Sequence, residues 1–540
     1  MRNAYRRTTA ILLSALVFLS SACALKREDK SRPEMYEVNG EMTYPSDPVA
    51  TYEVFVYSFC DSNGDGIGDL KGVTSKLDYI KELGFTRIWL MPVMPSPTYH
   101  KYDVTDYYAI DPEYGTMEDM EELISECDQR GMELIMDLTL NHTSSEHPWF
   151  TQAVSYLEGL GEGEEPDVSE CPYVGYYNFS SDSASAYYMA GNSGYYYEAQ
   201  FWSGMPDLNL SNPDVRDELL SVADYWLDMG IDGFRLDATT YYMTGSPEGN
   251  IEFMSRFSDA IKAEHPDAYL VGEAWTDYTE YVSYYQSGID SFFNFLFAGK
   301  DGVIAKSVNG TSSRGAASYG YGQQLFYDKV MEDYGSMIND APFLSNHDMG
   351  RASGFFLSSD GSQYKIAQAM CLLMSGNVFL YYGDEIGMSG SGRDENYRLA
   401  MYWTADDSSE SAEIMCKGPA DADSQEMRYP ALDEQIEDEM SIYSFIRQTM
   451  IIRNSHPAIC YGLPEYMEDL SGNDVCVIAK SYGDEDLLLI FNASESEQVL
   501  DLSSYGNLSV AGMLQTEDAA PSLEGNEAVM APRSVPILSY

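Results

Sequence analysis

Short apolar runs rich in β-branched and aromatic residues recur along the chain. They begin at Tyr52 (YEVFVYSF) and return at 85–91, 133–138, 231–236, 268–273, 289–293, 342–346 and 377–382. Runs of this length and composition predict strands. Between them, stretches such as 117–130 (MEDMEELISECDQR) and 216–229 (RDELLSVADYWLDM) carry apolar residues at helical spacing and predict amphipathic helices. Eight strand–helix units in succession predict the α/β class and a (β/α)8 TIM barrel, with a doubly wound sheet as the alternative on pattern alone.

Two departures from the alternation mark further domains. The gap between the third and fourth strands runs from 143 to 214 and is rich in Gly, Ser and Tyr, as in YYMAGNSGYYYEAQFW at 187–202. An insertion that long is a lid or a small domain. After a helix at 441–454 the pattern turns to alternating strands, VCVIAKSY at 475–482 and LLLIFNAS at 487–494, which predict a C-terminal antiparallel β domain. The barrel then occupies 51–142 and 215–455, the inserted domain 143–214 and the C-terminal domain 456–540.

The start of the chain reads as an address. Arg2, Arg6 and Arg7 precede an apolar run over 10–19, too short for a membrane helix but suited to a signal peptide over 1–22. Leu19-Ser20-Ser21-Ala22-Cys23 resembles the bacterial lipobox, with the leucine one place early. That resemblance implies a lipidated Cys23, a polar tether over 23–50 and a protein on the extracellular face of a bacterial membrane, with simple secretion as the alternative.

Composition narrows the partners. Hydrophobic residues at 44% are enough for a core, while 87 Asp and Glu against 31 Lys and Arg leave a net charge of −56. So acidic a surface repels phosphate backbones and anionic lipid, so nucleic acid is excluded and membrane contact reduces to the anchor. A neutral ligand or a cation is favoured. The seven cysteines beyond Cys23 form no CxxC pair and read as buried hydrophobes.

In a barrel of this kind functional residues gather at the C-terminal strand ends. There the sequence offers Asp137, Asn141 and His142 (DLTLNH), Arg235 and Asp237 (FRLDA), Glu273 (GEAW), and His347 and Asp348 (SNHD). Carboxylates converging from several strands suit glycoside cleavage. One attacks or stabilises the anomeric carbon, and another, its pKa raised by crowding, protonates the leaving oxygen.

These segments resemble, in order and spacing, the conserved regions of the α-amylase family of glycoside hydrolases, family 13. DLTLNH, GFRLDA, VGEAW and FLSNHD resemble its four regions and MPDLN at 205–209 its additional one. The resemblance implies that Asp237 is the nucleophile, Glu273 the acid/base and Asp348 a binder of sugar hydroxyls. It implies that Arg235 orients the nucleophile, from the same face of the strand, and that His142 and His347 hydrogen-bond the same sugar. SPTYHKYDVTDYYAIDPEYGT adds Tyr102 as a stacking platform, Asp103 as a partner of the arginine and His100 as a further contact. Hydrolysis with retention, the carboxyl groups about 5–5.5 Å apart, is the implied outcome.

A second cluster, DSNGDGIGD at 61–69, places oxygen ligands at alternate positions: Asp61, Asn63, Asp65, the Ile67 carbonyl and Asp69. It resembles the start of an EF-hand loop, but the twelfth position is Gly72, so it is not one. The same loop in α-glucosidase-like branches of the family implies Ca²⁺, with Mg²⁺ or a metal-free turn as alternatives.

MPDLN resembles an intermediary group that includes bacterial lipoprotein α-amylases. The place three before Tyr102, acidic in exo-acting α-glucosidases, is Tyr99, which implies a site open to internal chain positions. Where typical α-amylases continue DAxKH, this chain reads Asp237-Ala238-Thr239-Thr240-Tyr241, leaving transfer open. The resulting expectation is a monomeric, endo-acting α-1,4-glucan hydrolase acting on starch and maltooligosaccharides. The alternatives are a neopullulanase-like, maltogenic or 4-α-glucanotransferase activity, or a non-catalytic surface glucan-binding protein. The tyrosines of the insertion suit either sugar stacking or packing.

Overall fold

The computed structural model describes residues 49–540, apart from 407, 424–426 and 518. The leader, Cys23 and the tether up to residue 48 lie outside the described residues. Val49 and Ala50 already belong to the barrel: Val49 N donates to Asn377 Oδ1, and the Ala50 carbonyl accepts from Thr86 and Arg87.

The strands follow in chain order. β1 (Thr51–Val54), β2 (Arg87–Leu90) and β3 (Glu133–Leu138) open the barrel. β4 (Phe179–Ser180), β5 (Tyr187–Met189) and β6 (Tyr196–Glu198) lie in the insertion. The barrel resumes with β7 (Gly233–Leu236), β8 (Tyr269–Gly272), β9 (Ser291–Phe292) and β10 (Phe379–Tyr381). The seven barrel strands form one parallel sheet in the order β10-β1-β2-β3-β7-β8-β9. Residues 340–342 bridge its two edges. Ala341 N donates to Phe292 O at 3.1 Å and Phe379 N to Pro342 O at 2.9 Å, which closes the ring.

Most predicted strands come out shorter than their runs, two of them for a clear reason. The run 342–346 supplies only this bridging segment, since Pro342 has no N–H to donate to a ladder. In YEVFVYSF the strand ends at Val54 and Val56–Phe59 is a helical turn. Both halves are buried, and a run buried on every side shows no period that separates strand from helix.

Helices pack apolar faces on the barrel. α1 (Met117–Arg130) starts at a capping box between Thr116 and Asp119 and ends at Gly131 in the left-handed region. α2 (Pro213–Met229) starts earlier than the apolar pattern, because the Asn212 side chain caps it and Pro213 takes the first position. At Gly233, the first residue of β7, a Cβ would stand 1.9 Å from the Tyr269 carbonyl, so only glycine lets β7 and β8 approach.

The insertion holds the helix Pro148–Gly159 and the antiparallel sheet β4-β6-β5. Its tyrosines divide. Tyr177 and Tyr197 pack edge-on against Phe150, while Tyr188 is exposed. At the C-terminal end a five-stranded antiparallel sheet, built on Val475–Tyr482, Glu485–Asn492 and Ser534–Ser539, stands beside a smaller three-stranded one. Cys60, Cys127, Cys171, Cys371, Cys416, Cys460 and Cys476 are buried and unbridged. Among the described residues no helix is long and apolar enough to cross a membrane.

Candidate active site

The C-terminal strand ends bring the polar side chains together. Arg235 of β7 is fully buried and serves three carboxylates. Its Nη1 donates to Asp137 at 2.9 and 3.0 Å and to Asp237 Oδ1 at 2.6 Å, and its Nη2 to Glu273 Oε2 at 3.0 Å. A planar guanidinium offers several donors in fixed directions, which a lysine cannot. The chain turns sharply after Asp237, with Ala238 at φ 53. This left-handed residue aims its N–H at Glu273 Oε2, 3.0 Å away.

Burial pushes the Glu273 carboxyl up, Arg235 partly offsets this, and Asp237 and Asp348 push further, to about 7. Asp348 moves the other way. Against burial, His347 and Arg398 hold it well below the usual carboxylate range, with His347 Nε2 2.9 Å and Arg398 Nη2 3.1 Å away. Like acids in one cleft thus acquire opposite protonation tendencies, the pattern expected where acid and anion divide the work.

A cavity of about 480 Å³ is lined by His100, Tyr102, His142, Asp237, Glu273 and Asp348. Burial lowers His100 to about 4 and lowers His142, favouring neutral imidazoles there. Arg235 and His347 do not line the cavity. His347 lies wholly behind Asp348 with both ring nitrogens engaged inside the protein. Tyr102 stacks on His347, rings 5.4 Å apart, and its hydroxyl reaches Asp137. Asp103 is not the arginine's partner. It accepts from Ser96 and Thr98, and Asp137 takes the arginine because β3 and β7 pair Asp137 with Arg235 in register.

Several lining residues escaped the sequence reading. Asp394 and Arg398 flank a 3₁₀ turn after β10, and the Tyr99 hydroxyl donates to Asp394 Oδ2 at 2.6 Å. Arg398 pairs with both Asp394 and Asp348. The signal was an Asp and an Arg at i,i+4 in a segment without strand or helix period. On the rim Phe201, Trp202, Tyr241 and Trp275 are 45%, 46%, 41% and 53% exposed, with Trp275 stacked on Phe295 at 4.6 Å. Large aromatics left in water around a cavity supply flat apolar faces for a ligand.

The 61–69 loop lies apart from this cavity and is wound by its own side chains. Asp61 accepts from the N–H groups of Asn63, Gly64 and Gly66, Asn63 from Asp65, and Asp65 from Ile67. Asp69 caps the next helix and receives Ser62. The Lys417 ammonium donates to the Asp65 carbonyl at 2.8 Å. The all-oxygen donor set suits a hard cation. Among the described residues no three acids, histidines or cysteines gather as a metal site, so a cation here would also need the Asn63 amide and the Ile67 carbonyl.

A parallel (β/α)8 barrel with a carboxyl held near neutrality, a second carboxylate on a shared arginine and a sugar-sized cavity defines a glycoside hydrolase. Comparison with known proteins specifies it. Residues 53–462 match the family model for the alpha amylase catalytic domain, and the chain belongs to the α-amylase family. It is similar to α-amylase 3 of Dictyoglomus thermophilum, 36% identical over 90% of this chain and 92% of that one. It is also similar to the trehalose synthase/amylase TreS of Mycolicibacterium smegmatis, 30% identical over 79% of each. Among solved structures Eubacterium rectale Amy13B superposes with a TM-score of 0.89 at 48% identity, covering 92% of this chain and 96% of that one.

Proposed function

We propose that this enzyme is an endo-acting, retaining α-amylase that cleaves α-1,4 bonds of starch and maltooligosaccharides. The observation that carries the reading is the shared guanidinium. Asp237 and Glu273 face one cavity from the same Arg235, and burial, with Asp237 and Asp348 nearby, pushes Glu273 up to about 7. Asp237 attacks the anomeric carbon and forms a glycosyl–enzyme ester as the glycosidic C–O bond breaks. Glu273 gives its proton to the departing oxygen, then takes one from the water that opens the ester. Asp348, kept anionic by His347 and Arg398, accepts hydrogen bonds from hydroxyls of the sugar being cleaved. The name of one relative, α-amylase 3 of Dictyoglomus thermophilum, supports the substrate class. Product chromatography over time from soluble starch tests the reading. A spread of oligosaccharides appears early if it holds, and maltose or glucose alone from the start refutes endo attack.

A second reading, 4-α-glucanotransferase or neopullulanase-like activity, is favoured by Tyr241 and Trp275. Both present exposed rings to the cavity beside the acid, where an aromatic face retains an acceptor sugar in competition with water. Products longer than maltotriose, formed from maltotriose, identify it.

We further propose that Asp61, Asn63, Asp65, Asp69 and the Ile67 carbonyl hold Ca²⁺. Support comes from the donor chemistry and from the spare lone pairs of Asp65, which receives one N–H. Chelation then lowers the melting temperature, and Ca²⁺ restores it. An unchanged melting temperature leaves the loop a metal-free turn pinned by Lys417. The lipobox-like start supports a lipid anchor at Cys23. A C23S chain released into the medium supports it, and unchanged membrane association refutes it.

A further inference from the structure

One buried acid has no part in this chemistry. Glu53 sits in the middle of β1, 1% exposed, its backbone in register with Trp89 of β2 and Tyr381 of β10. An ionisable group in a barrel interior is costly unless paired. Its Oε1 lies 2.6 Å from His347 Nδ1. The other ring nitrogen, Nε2, faces Asp348 Oδ2 at 2.9 Å and the Tyr102 hydroxyl at 2.7 Å. The imidazole thus stands between two carboxylates, one inside the barrel and one on the cavity wall. A neutral imidazole has a single N–H and satisfies one of them, whereas an imidazolium satisfies both.

We propose that Glu53 is a positioning residue that acts through His347 on Asp348. It holds the ring doubly protonated and fixed, so that Asp348 stays anionic and aimed at the sugar. The proposal rests on the reading of Asp348 given above.

Electrostatics agree with the geometry. Burial alone would lower His347, but Asp348 and Glu53 together outweigh it and raise it to about 9. Burial raises Glu53, and His347 and Arg235 pull it back. The other charged or titratable groups facing this pair are Asp137 on β3, Arg398 after β10, Tyr102 after β2, Tyr381 on β10 and Asp384 just beyond it. Arg235 and Arg398 already bond to other carboxylates, so Glu53 is the partner whose loss leaves His347 with one anion. Trp89, edge-on to the ring at 5.6 Å, and Tyr102, stacked on it, block rotation.

The test uses Glu53→Gln, which keeps the size and removes the charge, with Glu53→Asp as the conservative variant. The chain has six histidines, few enough to follow His347 by nitrogen NMR of histidine-labelled protein. In the wild type it is expected to remain doubly protonated at pH 8, and in E53Q to lose a proton at least about one pH unit lower. The alkaline limb of kcat/KM, a one-proton fall in the wild type, steepens to a two-proton fall in E53Q, and E53D partly restores it. A neutral His347 at pH 8 in the wild type overturns the proposal even if no variant folds. So does an E53Q protein whose limb keeps its slope. Asp348→Asn is measured alongside: if it retains full activity, the reading of Asp348 fails first, while the NMR outcome still judges the link from Glu53 to His347.

Discussion

Nη1 of Arg235 stands 2.6 Å from Oδ1 of Asp237, two residues further along the chain. The same guanidinium reaches Glu273 on the neighbouring strand end, so the separation of the two carboxyl groups is set by one rigid plane rather than by two loops. Positions fixed this way tolerate little change in the shared group and respond sharply to changes in either acid.

Glu273→Gln removes the transferable proton but keeps the hydrogen bonds to Arg235 and Ala238. Steady-state kinetics on a maltooligosaccharide are expected to show kcat lower by about 10²–10⁴-fold with KM little changed. Retention of more than a tenth of wild-type kcat would exclude Glu273 as the acid.

Stability is expected to fall as pH rises from 6 to 9. Asp207 and Asp384 are raised to about 7 by burial, as is Glu273. A carboxyl raised on folding contributes stability that is complete below its unfolded value and lost as pH passes through the folded one. His347, raised to about 9, contributes below its unfolded value and loses that contribution up to about 9. Asp348 is depressed, so its contribution disappears only in strong acid. Calorimetry should place the highest Tm in mildly acidic buffer. A Tm that rises between pH 6 and 9 contradicts these assignments.

Trp275→Ala takes away the ring stacked on Phe295 while leaving the catalytic pair in place. Loss of one sugar-stacking face is worth about 1 kcal/mol, so KM for maltooligosaccharides is expected to rise severalfold, and any transfer product from maltotriose to fall further. Unchanged kinetics and product pattern would remove Trp275 from the binding surface.

Gly233→Ala inserts a methyl 1.9 Å from the Tyr269 carbonyl, where neither strand can retreat without shifting Arg235 or Glu273. Destabilisation of about 3 kcal/mol or more is expected in denaturant titrations. A loss under 1 kcal/mol would show that β7 and β8 can part locally.

The barrel was legible because its strands are short apolar runs separated by amphipathic helices, and β3 and α1 fall on their predicted residues. The convergence of Asp137, Asp237, Glu273 and Asp348 was legible because they end strands, where chain order and spatial convergence coincide. Glu53 was hidden for the opposite reason. A charged residue inside an apolar run reads as an exposed position in a strand, and only barrel closure turns it inward. Asp394 and Arg398 sit in a turn with no period, and their role comes from contacts distant in sequence, Arg398 with Asp348 and Asp394 with Tyr99. Asp103 was misplaced because the family resemblance implied a partner for the arginine that the pairing of β3 with β7 assigns to Asp137.

Closure through residues 340–342 in place of a full strand has a mechanical meaning. Only a few backbone hydrogen bonds join β9 to β10 across this segment, so it is a thin seam of the barrel wall. His347 and Asp348 begin five residues past it. Thermal opening that starts at the seam would release the wall that carries His347 and Asp348 while the ladder from β1 to β8 is still intact. Hydrogen exchange should register this as early loss of protection at Asn294, Ala341, Asn377 and Phe379, ahead of the other barrel strands. The enzyme would then lose activity at a lower temperature than it loses its fold.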